Sequence, residues 1–313
     1  MTGYILRRLL ATIPVLLIVA VLVFLMLRLT PGDPAAVIAG DNATSEQIAL
    51  IRSRLGLDQP ILTQFALWAG HLLRGDFGES FFFKKTVADL IVGRLEPTVS
   101  LAIATMLIAV LVAVPLGVLA AYKHGTWIDR IVMGFSVLGF SVPVFVIGYG
   151  LIYVFAITLN WLPIQGYQSL SGGFRGFLQR LILPSVTLSV IYIALIARMT
   201  RASVLEVLGE DYIRTARAKG QVERKILFRH ALKNAAVPIV TVIGIGVALL
   251  IGGVVVTESV FSIPGLGRLT VDAVLARDYP TIQAVILLFS VVYIVINLCV
   301  DLAYTLFDPR IRY

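Results

Sequence analysis

The sequence has few of the residues on which soluble enzymes and disulfide-rich proteins depend. One cysteine, Cys299, occurs among 313 residues, so intrachain disulfides and cysteine-cluster metal sites are excluded. Only 14% of the residues are charged, against roughly 25% in typical soluble domains, whereas 58% are hydrophobic. A chain of this size could not bury that much apolar surface in one core. The composition therefore excludes an ordinary soluble enzyme, a disordered chain and a nucleic-acid-binding domain.

Uncharged stretches long enough to cross a bilayer, which takes about 20 mostly apolar residues, recur along the chain. The first also fits a secretory signal peptide, but its apolar run is longer than a typical signal core and no small-residue cleavage pattern follows, so we interpret it as an uncleaved anchor. The sequence therefore predicts an all-α integral membrane protein with six transmembrane helices and both ends on the same side. The six stretches are 9–27, 98–121, 131–159, 181–197, 234–257 and 279–300.

The charged residues predict which side that is, because the cytoplasmic loops of membrane proteins carry the excess of Lys and Arg. If the N-terminus is cytoplasmic, that side carries 15 bases and six acids, whereas the opposite side carries 11 of each. Asp301, within the last stretch, completes the net charge of +8 and suits a structural ion pair better than proton coupling. Both termini are therefore predicted to be cytoplasmic. The predicted parts are an N-terminal tip with the first helix (1–30), a large outer loop (31–97), a five-helix core (98–306) that includes an inner loop (201–235), and a tail (307–313).

The outer loop 31–97 is too long to be a simple connector. It contains two predicted amphipathic helices, one that starts at Ser45 and one over residues 60–73. Long loops in compact proteins tend to be functional. Two interpretations stay open here: the helices form a cap that lies on the membrane interface, or they form a docking platform for an external partner.

The inner loop 201–235 carries eight bases and four acids. Its segment 210–220 predicts a short helix, with acids at the start, bases towards the end and a glycine to stop it, an order that suits the helix dipole. A loop that only contacts lipid headgroups would need bases but no such order. The segment therefore suits contact with a protein partner better.

The same segment resembles the cytoplasmic coupling motif of ABC-importer permeases, in which a Glu-Ala-Ala triplet precedes a glycine at a fixed spacing. Aligned on Gly220, the triplet falls on Arg214, Thr215 and Ala216, so Ala216 and Gly220 match while the other two depart. The sequence Asp-Tyr-Ile-Arg-Thr-Ala-Arg-Ala-Lys-Gly over 211–220 is similar to the variant used by dipeptide and oligopeptide permeases.

Further segments resemble that subfamily, and their order and spacing make the resemblance specific over essentially the whole chain. The match is to the first of the two permease subunits, and the glutathione-type importers are especially similar. The segments are Pro31-Gly32-Asp33-Pro34, Gly56-Leu57-Asp58-Gln59-Pro60, Gly75-Asp76-Phe77-Gly78, the stretch 257–267, Arg277-Asp278-Tyr279-Pro280 and Asp308-Pro309-Arg310-Ile311-Arg312.

The resemblance implies a type I ABC-importer permease in a bacterial inner membrane, which forms half of a translocation pathway for short peptides. The implied partners are a second homologous permease, two ATPase subunits, a periplasmic solute-binding protein and the lipid bilayer, with no nucleic acid. A P-loop motif is missing from the sequence, so the chain is expected to be no enzyme and to bind no cofactor, with ATP and magnesium on the partner ATPase subunits. The implied coupling residues are Glu210, Asp211, Tyr212, Arg214, Thr215, Ala216, Arg217, Ala218, Lys219 and Gly220.

Polar residues at membrane depth are candidates to line the translocation pathway. The alternative for each hydroxyl is a hydrogen bond between helices, which is common in membrane bundles. The candidates are Ser136, Ser141, Ser189, Tyr192 and Asn297.

Two other classes of protein are alternatives. A membrane-embedded serine protease would need a histidine inside a span, but all three histidines lie outside the predicted spans, and neither a Gly-x-Ser-x-Gly nor a His-Glu-x-x-His element occurs. A secondary transporter would show internal repeats and ionisable residues at the midplane, and only Asp301 is ionisable within a span. Among importer substrates, short peptides are favoured, while glutathione, nickel chelates or another small solute stay open.

Overall fold

The protein is almost entirely helical, as the sequence predicts for its fold class. The computed structural model describes residues 2–29, 33, 35–36, 43–54, 56–80 and 82–307. Pro31, Gly32 and Pro34 of the first outer-loop motif, and the closing motif 308–312, lie outside the described residues. The helices are α1 Thr2–Leu29, α2 Ser45–Arg54, α3 Ile61–Leu73, α4 Val87–Tyr122, α5 Trp127–Ser141, α6 Val144–Leu151, α7 Phe174–Leu208, α8 Asp211–Ala218, α9 Glu223–Lys225, α10 Leu232–Asn234, α11 Ala236–Val260, α12 Leu266–Leu275 and α13 Tyr279–Phe307.

Short irregular elements complete the described part of the chain. A π-helical segment, Ile152–Thr158, continues α6, and a second, Ile226–Ala231, joins α9 to α10. A 3-10 turn at Leu170–Gly172 leads into α7. The strands β1 Glu79–Ser80 and β2 Lys85–Thr86 pair antiparallel before α4.

Helices long and apolar enough to cross a membrane coincide with the predicted stretches. Among the described residues these are α4, α7, α11 and α13, and the bent pair of α5 with α6 and its π-helical continuation adds a fifth if it counts as one span. The first predicted stretch lies within α1, a helix of 28 residues whose apolar part is Leu10–Met26. The prediction of an all-α membrane protein is therefore confirmed.

The third predicted span, 131–159, is not a single straight helix. It is broken between Ser141 and Val144, and its two halves are bent by 104°. The cause is Pro143, because the proline ring disfavours helical dihedrals in the residue before it. Val142 accordingly has φ −91° and ψ 124°, an extended conformation that ends α5. Broken helices at membrane depth are characteristic of transporters.

Residue contacts divide the chain into two units. The first comprises Met1–Glu96 and Arg268–Ile294, and the second comprises Pro97–Gly267 and Val295–Tyr313. In the second unit α7 is the central helix, packed against α5, α6 and α11. The most apolar 18 residues of α7 are 67% buried, whereas those of α11 are only 28% buried. Much of the surface of α11 is therefore left for lipid or a partner.

Small residues let helices of the second unit approach closely, as is usual in membrane bundles. At Gly117 of α4, a Cβ would lie only 2.6 Å from the Cβ of Thr200 on α7. At Gly139 of α5, it would lie 3.2 Å from the Cβ of Ala194, also on α7. The core between these helices is filled by large apolar side chains such as Leu101, Leu188, Ile196, Leu250 and Phe261.

The first unit is held by aromatic contacts and by a buried carboxylate. Phe24 of α1 packs against Phe65 and Trp68 of α3. Asp278, just before α13, accepts hydrogen bonds from Ser80 Oγ at 2.5 Å and from Thr281 Oγ1 at 2.6 Å. These bonds join the β-ribbon to the start of α13 and account for the Asp278 position of the Arg-Asp-Tyr-Pro motif.

Candidate functional site

The inner-loop segment forms the short helix that its charge order predicts. The predicted loop 201–235 is shorter than its sequence suggests, since α7 continues to Leu208 before α8 begins. Glu210 lies at the N-cap of α8, and Lys219 at its C-cap. Gly220 follows with φ +75°, a conformation that L-residues with a Cβ rarely adopt.

The C-terminal end of α8 is closed by two backbone hydrogen bonds. The Gly220 N–H donates to the Arg217 carbonyl at 2.9 Å, and the Gln221 N–H donates to the Ala216 carbonyl at 3.2 Å. This pair of bonds is the Schellman motif, which satisfies carbonyls that would otherwise be unpaired at a helix end. The glycine is therefore required by backbone geometry, and a Cβ there would contact nothing within 4 Å.

One side of α8 packs against the chain that follows it. Ile213 is fully buried, and α8 contacts the π-helical segment Ile226–Ala231. Asn234 Nδ2 donates to the Tyr212 hydroxyl at 2.9 Å and to the His230 carbonyl at 2.9 Å. The helix is thus attached to its own loop through an apolar anchor and a polar bridge.

The other side of α8 is exposed and charged. Arg214 pairs with Asp211 at 3.1 Å, and both side chains are largely exposed, at 74% and 95%. Arg217 pairs with Glu223 at 2.9 Å, with both side chains about 40% exposed. Such exposed pairs stabilise a fold by at most about 1 kcal/mol, so these charges are available to a partner. The remaining predicted coupling residues, Thr215, Ala218 and Lys219, are also exposed, and Ala216 is half-buried.

A basic depression lies next to α8. Its volume is about 400 Å³, and it is open to solvent. Two of its lining residues are exposed apolar side chains, Val222 at 67% and Phe228 at 52%. The other three, Arg224, Lys225 and Arg229, are bases. The exposed face of α8 and this depression together form a continuous stretch of sequence that combines charge with exposed apolar surface.

A buried ion pair ties the start of α5 to α7. Asp129 is 4% exposed and accepts hydrogen bonds from Arg201 Nε at 2.5 Å and from Arg201 Nη2 at 2.7 Å. The Gly125 N–H donates to the same carboxylate at 3.0 Å, and His124 Nδ1 lies 3.1 Å from it. Because Arg201 is seven residues before the end of α7, the pair links α7 near α8 to the turn between α4 and α5.

A second buried carboxylate, that of Glu258, lies near the C-terminal end of α11. Glu258 is fully buried, and the Thr98 hydroxyl donates to its Oε1 at 2.6 Å. Thr98 in turn accepts the Leu266 N–H at 2.8 Å. A Cβ on Gly265 would overlap the Glu258 carboxylate, so the glycines of the segment 257–267 are needed for close approach of backbone to this acid. The arrangement joins α4, α11 and the start of α12.

The five pathway candidates have different surroundings in the structure, and their place in a pathway stays a prediction. Ser136 and Ser189 are buried and donate to carbonyls of their own helices, those of Val132 at 2.9 Å and Val186 at 2.8 Å. Ser141 is exposed beside the break after α5 and donates to the Val137 carbonyl at 2.9 Å. Tyr192 is 4% exposed, and its hydroxyl lies against Gly253 of α11; Asn297 is exposed on α13.

Three structural features near the site are not among the predictions from sequence: the break at Pro143, the ion pair of Asp129 with Arg201, and the bond of Thr98 to Glu258. The break could have been predicted from Pro143, since a proline within an apolar run marks a helix boundary. The pairing of Asp129 with Arg201 could not have been predicted, because 72 residues separate them and single-sequence patterns do not reveal which spans are neighbours. Thr98 lies at the predicted start of a span, and its bond to Glu258 crosses 160 residues.

The described residues contain long apolar helices, a broken span, and a short helix with an exposed charged face between two spans. This is the architecture of an α-helical membrane protein. Residues 113–313 match the model of the family described as "Binding-protein-dependent transport system inner membrane component", and residues 1–102 match the model of its N-terminal region. The chain therefore belongs to this family of ABC-transport permeases. Family membership excludes the alternatives of a membrane protease and a secondary transporter.

Relatives match along the full length of the chain. It is 59% identical over 310 residues, 99% of both chains, to the "Probable peptide ABC transporter permease protein y4tP" of Sinorhizobium fredii. It is 48% identical over 313 residues, 100% of both chains, to the glutathione transport system permease protein GsiC of Salmonella choleraesuis. Among solved structures, a chain of the inward-facing MetNI methionine ABC transporter aligns with a TM-score of 0.57 at 19% identity, covering 70% of this chain and 96% of that one. That likeness shows the fold alone.

Proposed function

We propose that this chain is one of two permease subunits of an ATP-driven importer for short peptides, and that it forms half of the translocation pathway. The observation that carries the proposal is the 59% identity, over 99% of both chains, to a peptide permease. The 48% identity to a glutathione permease favours glutathione, itself a tripeptide, as the second candidate substrate.

The proposed partners follow from the family, which takes its name from binding-protein-dependent transport. They are a second homologous permease, two ATPase subunits that hold ATP and magnesium, and a periplasmic solute-binding protein. With the excess of Lys and Arg on the cytoplasmic side, the N-terminus, the C-terminus and α8 face the cytoplasm. The solute-binding protein then docks on the opposite side, where the loops 31–97 and 258–278 lie.

Helix α8 is the proposed coupling element. Its exposed Asp211, Arg214 and Lys219 contact an ATPase subunit, while the buried Ile213 holds the helix to its own loop. Closure of the ATPase dimer displaces α8, and the Schellman end at Gly220 lets the helix move as a rigid body. The ion pair between Asp129 and Arg201 then carries the movement from α7 to the start of α5.

A matched pair of proline substitutions tests this role. Gly220 has a close counterpart at Gly56, which has φ +63°, donates to the Ser53 carbonyl at 3.0 Å and is also followed by a Schellman bond. Proline cannot adopt φ above zero and removes the donated bond, so either variant disrupts one helix end at similar cost. The two sites differ in that only Gly220 ends α8.

The readouts are uptake and substrate-stimulated ATP hydrolysis in the importer reconstituted with its partner subunits. We expect Gly220→Pro to insert, assemble and bind the solute-binding protein but to lose stimulated hydrolysis and uptake. Any loss of stimulation in Gly56→Pro should instead be accompanied by weaker binding of the solute-binding protein, because Gly56 lies in the outer loop 31–97. Normal stimulation in the Gly220→Pro importer would overturn the coupling role. Competition between a labelled dipeptide and unlabelled glutathione in the unmodified importer distinguishes the two candidate substrates.

A further inference from the structure

Helix α3 is apolar, and the proposed docking of a solute-binding protein on the loop 31–97 does not by itself account for that apolar character. Between Asp58 and Arg74 the sequence contains no Asp, Glu, Lys or Arg. The helix spans 13 residues, Ile61–Leu73, and is therefore about 20 Å long at 1.5 Å per residue. That is too short to cross roughly 30 Å of hydrocarbon, so α3 is not itself a span.

One side of α3 is attached to α1. The ring of Phe65 lies 5.1 Å from that of Phe24 in an edge-on arrangement, and the ring of Trp68 lies 5.5 Å from it. Phe24 is four residues before Arg28, at the end of the apolar part Leu10–Met26 of α1. Four residues of helix correspond to about 6 Å, so α3 is held at the level where α1 leaves the hydrocarbon.

The rest of α3 is apolar but uncovered within the first unit. None of its residues is buried, and the side chains of Leu62 and Leu73 are 80% and 90% exposed. Leu62, Ala66 and Leu73 lie on one side of the helix, because Ala66 follows Leu62 by four residues and Leu73 follows Ala66 by seven. In water, each exposed leucine would forgo the favourable free energy of burying an apolar side chain.

The polar groups of α3 lie off that apolar side, and the turn after the helix carries a charged group. Thr63 and His71 are on different positions around the helix from Leu62 and Leu73. The Asp76 carboxyl accepts the Gly78 N–H at 2.9 Å and lies 3.0 Å from His71 Nδ1, and these bonds, that of Gly78 first, lower its pKa. The charged form of Asp76 is thus favoured at the exposed C-terminal end of the helix.

We propose that α3 lies in the plane of the membrane interface beside the C-terminal end of α1, with Leu62 and Leu73 inserted into the acyl-chain boundary of the lipids. The level of Phe24 places the helix at that depth, and a tryptophan on its α1-facing side fits the aromatic belt of membrane interfaces. This inference selects the membrane cap over the docking platform for α3 itself. It depends on α1 crossing the membrane and is independent of the substrate and of ATP coupling.

Nitroxide labels measure this depth directly. In a Cys299→Ser background, single cysteines are introduced as Leu62→Cys and Leu73→Cys, with Asp58→Cys as the control on the same segment. The labelled full-length chain is placed in phosphatidylcholine nanodiscs, and collision rates with oxygen and with a water-soluble nickel chelate are compared. We expect labels at 62 and 73 to collide mainly with oxygen and a label at 58 to collide mainly with nickel. Nickel-dominated collisions at both 62 and 73 would overturn the proposal.

The native Trp68 provides a second measurement that does not alter α3. The variant Trp127→Phe/Trp161→Phe leaves Trp68 as the single tryptophan of the chain. Brominated phosphatidylcholine should then quench its emission strongly, while aqueous iodide should quench it weakly. The reverse pattern would show that α3 faces water or a soluble partner, and it would contradict the proposal without bearing on the transport function.

Discussion

The buried ion pair between Asp129 and Arg201 gives the most quantitative prediction. Arg201 contacts both oxygens of Asp129, whose side chain is only 5% exposed, whereas that of Arg201 is 21% exposed. Removing one member of a buried pair typically costs about 3–5 kcal/mol, since the other charge stays buried without its partner. Arg201→Met therefore costs about 4–5 kcal/mol, and Asp129→Asn costs about 3 kcal/mol because the remaining guanidinium can reach water.

The double variant Asp129→Asn/Arg201→Met separates pairing from simple loss of contacts. It buries no unpaired charge, so its cost should fall below the sum of the single variants by about 2 kcal/mol, within the range for residues in direct contact. The assay is the free energy of unfolding of the purified chain in mixed micelles, titrated with dodecyl sulfate and followed by circular dichroism.

An exposed pair on the same side of the protein serves as the control. Arg217 and Glu223 are about 40% exposed, so Arg217→Met and Glu223→Gln should each cost less than about 1 kcal/mol. Additive costs at Asp129 and Arg201, or single-variant costs no larger than those of the control, would refute the reasoning.

Two further predictions concern the buried acid Glu258. Thr98→Val keeps the side-chain volume but removes the donor to Glu258 and the acceptor of the Leu266 N–H, so the unfolding free energy should fall by about 1–3 kcal/mol in the same titration. Gly265→Ala forces a Cβ into the Glu258 carboxylate and should destabilise at least as much. At Gly150, inside a helix, a Cβ meets nothing within 4 Å, so Gly150→Ala should be neutral or stabilising by up to about 1 kcal/mol. Equal destabilisation at the two glycines would contradict the packing described.

Much of the fold could be predicted because the bilayer imposes a simple rule on sequence. Uncharged stretches between Lys, Arg, Asp and Glu located the long helices, since each must be about as long as the hydrocarbon is thick. The helix α8 could also be predicted, because its charge order and Gly220 are local signals that report local geometry. Its proposed contact with an ATPase stays a prediction.

What the sequence did not reveal depends on contacts between distant residues. Asp129 and Arg201 looked like two more cytoplasmic charges, since charge counting treats every base and acid as equivalent. Charge counting does not detect the break at Pro143, because the apolar run 131–159 continues through it with no charge to mark the end of a helix. The hydroxyls of Ser136 and Ser189 donate to carbonyls of their own helices, which hydroxyls in helices often do and which the sequence does not reveal. Their place in the pathway stays a prediction.

The central claim, that α8 meets an ATPase subunit, can be measured by site-specific photo-crosslinking in the assembled importer. A benzophenone amino acid replaces Arg214, which is 74% exposed on α8, or Leu73, which is 90% exposed on α3. After illumination, we predict an adduct with the ATPase subunit from position 214 and none from position 73. Absence of that adduct at 214, in an importer that still transports, would contradict the account.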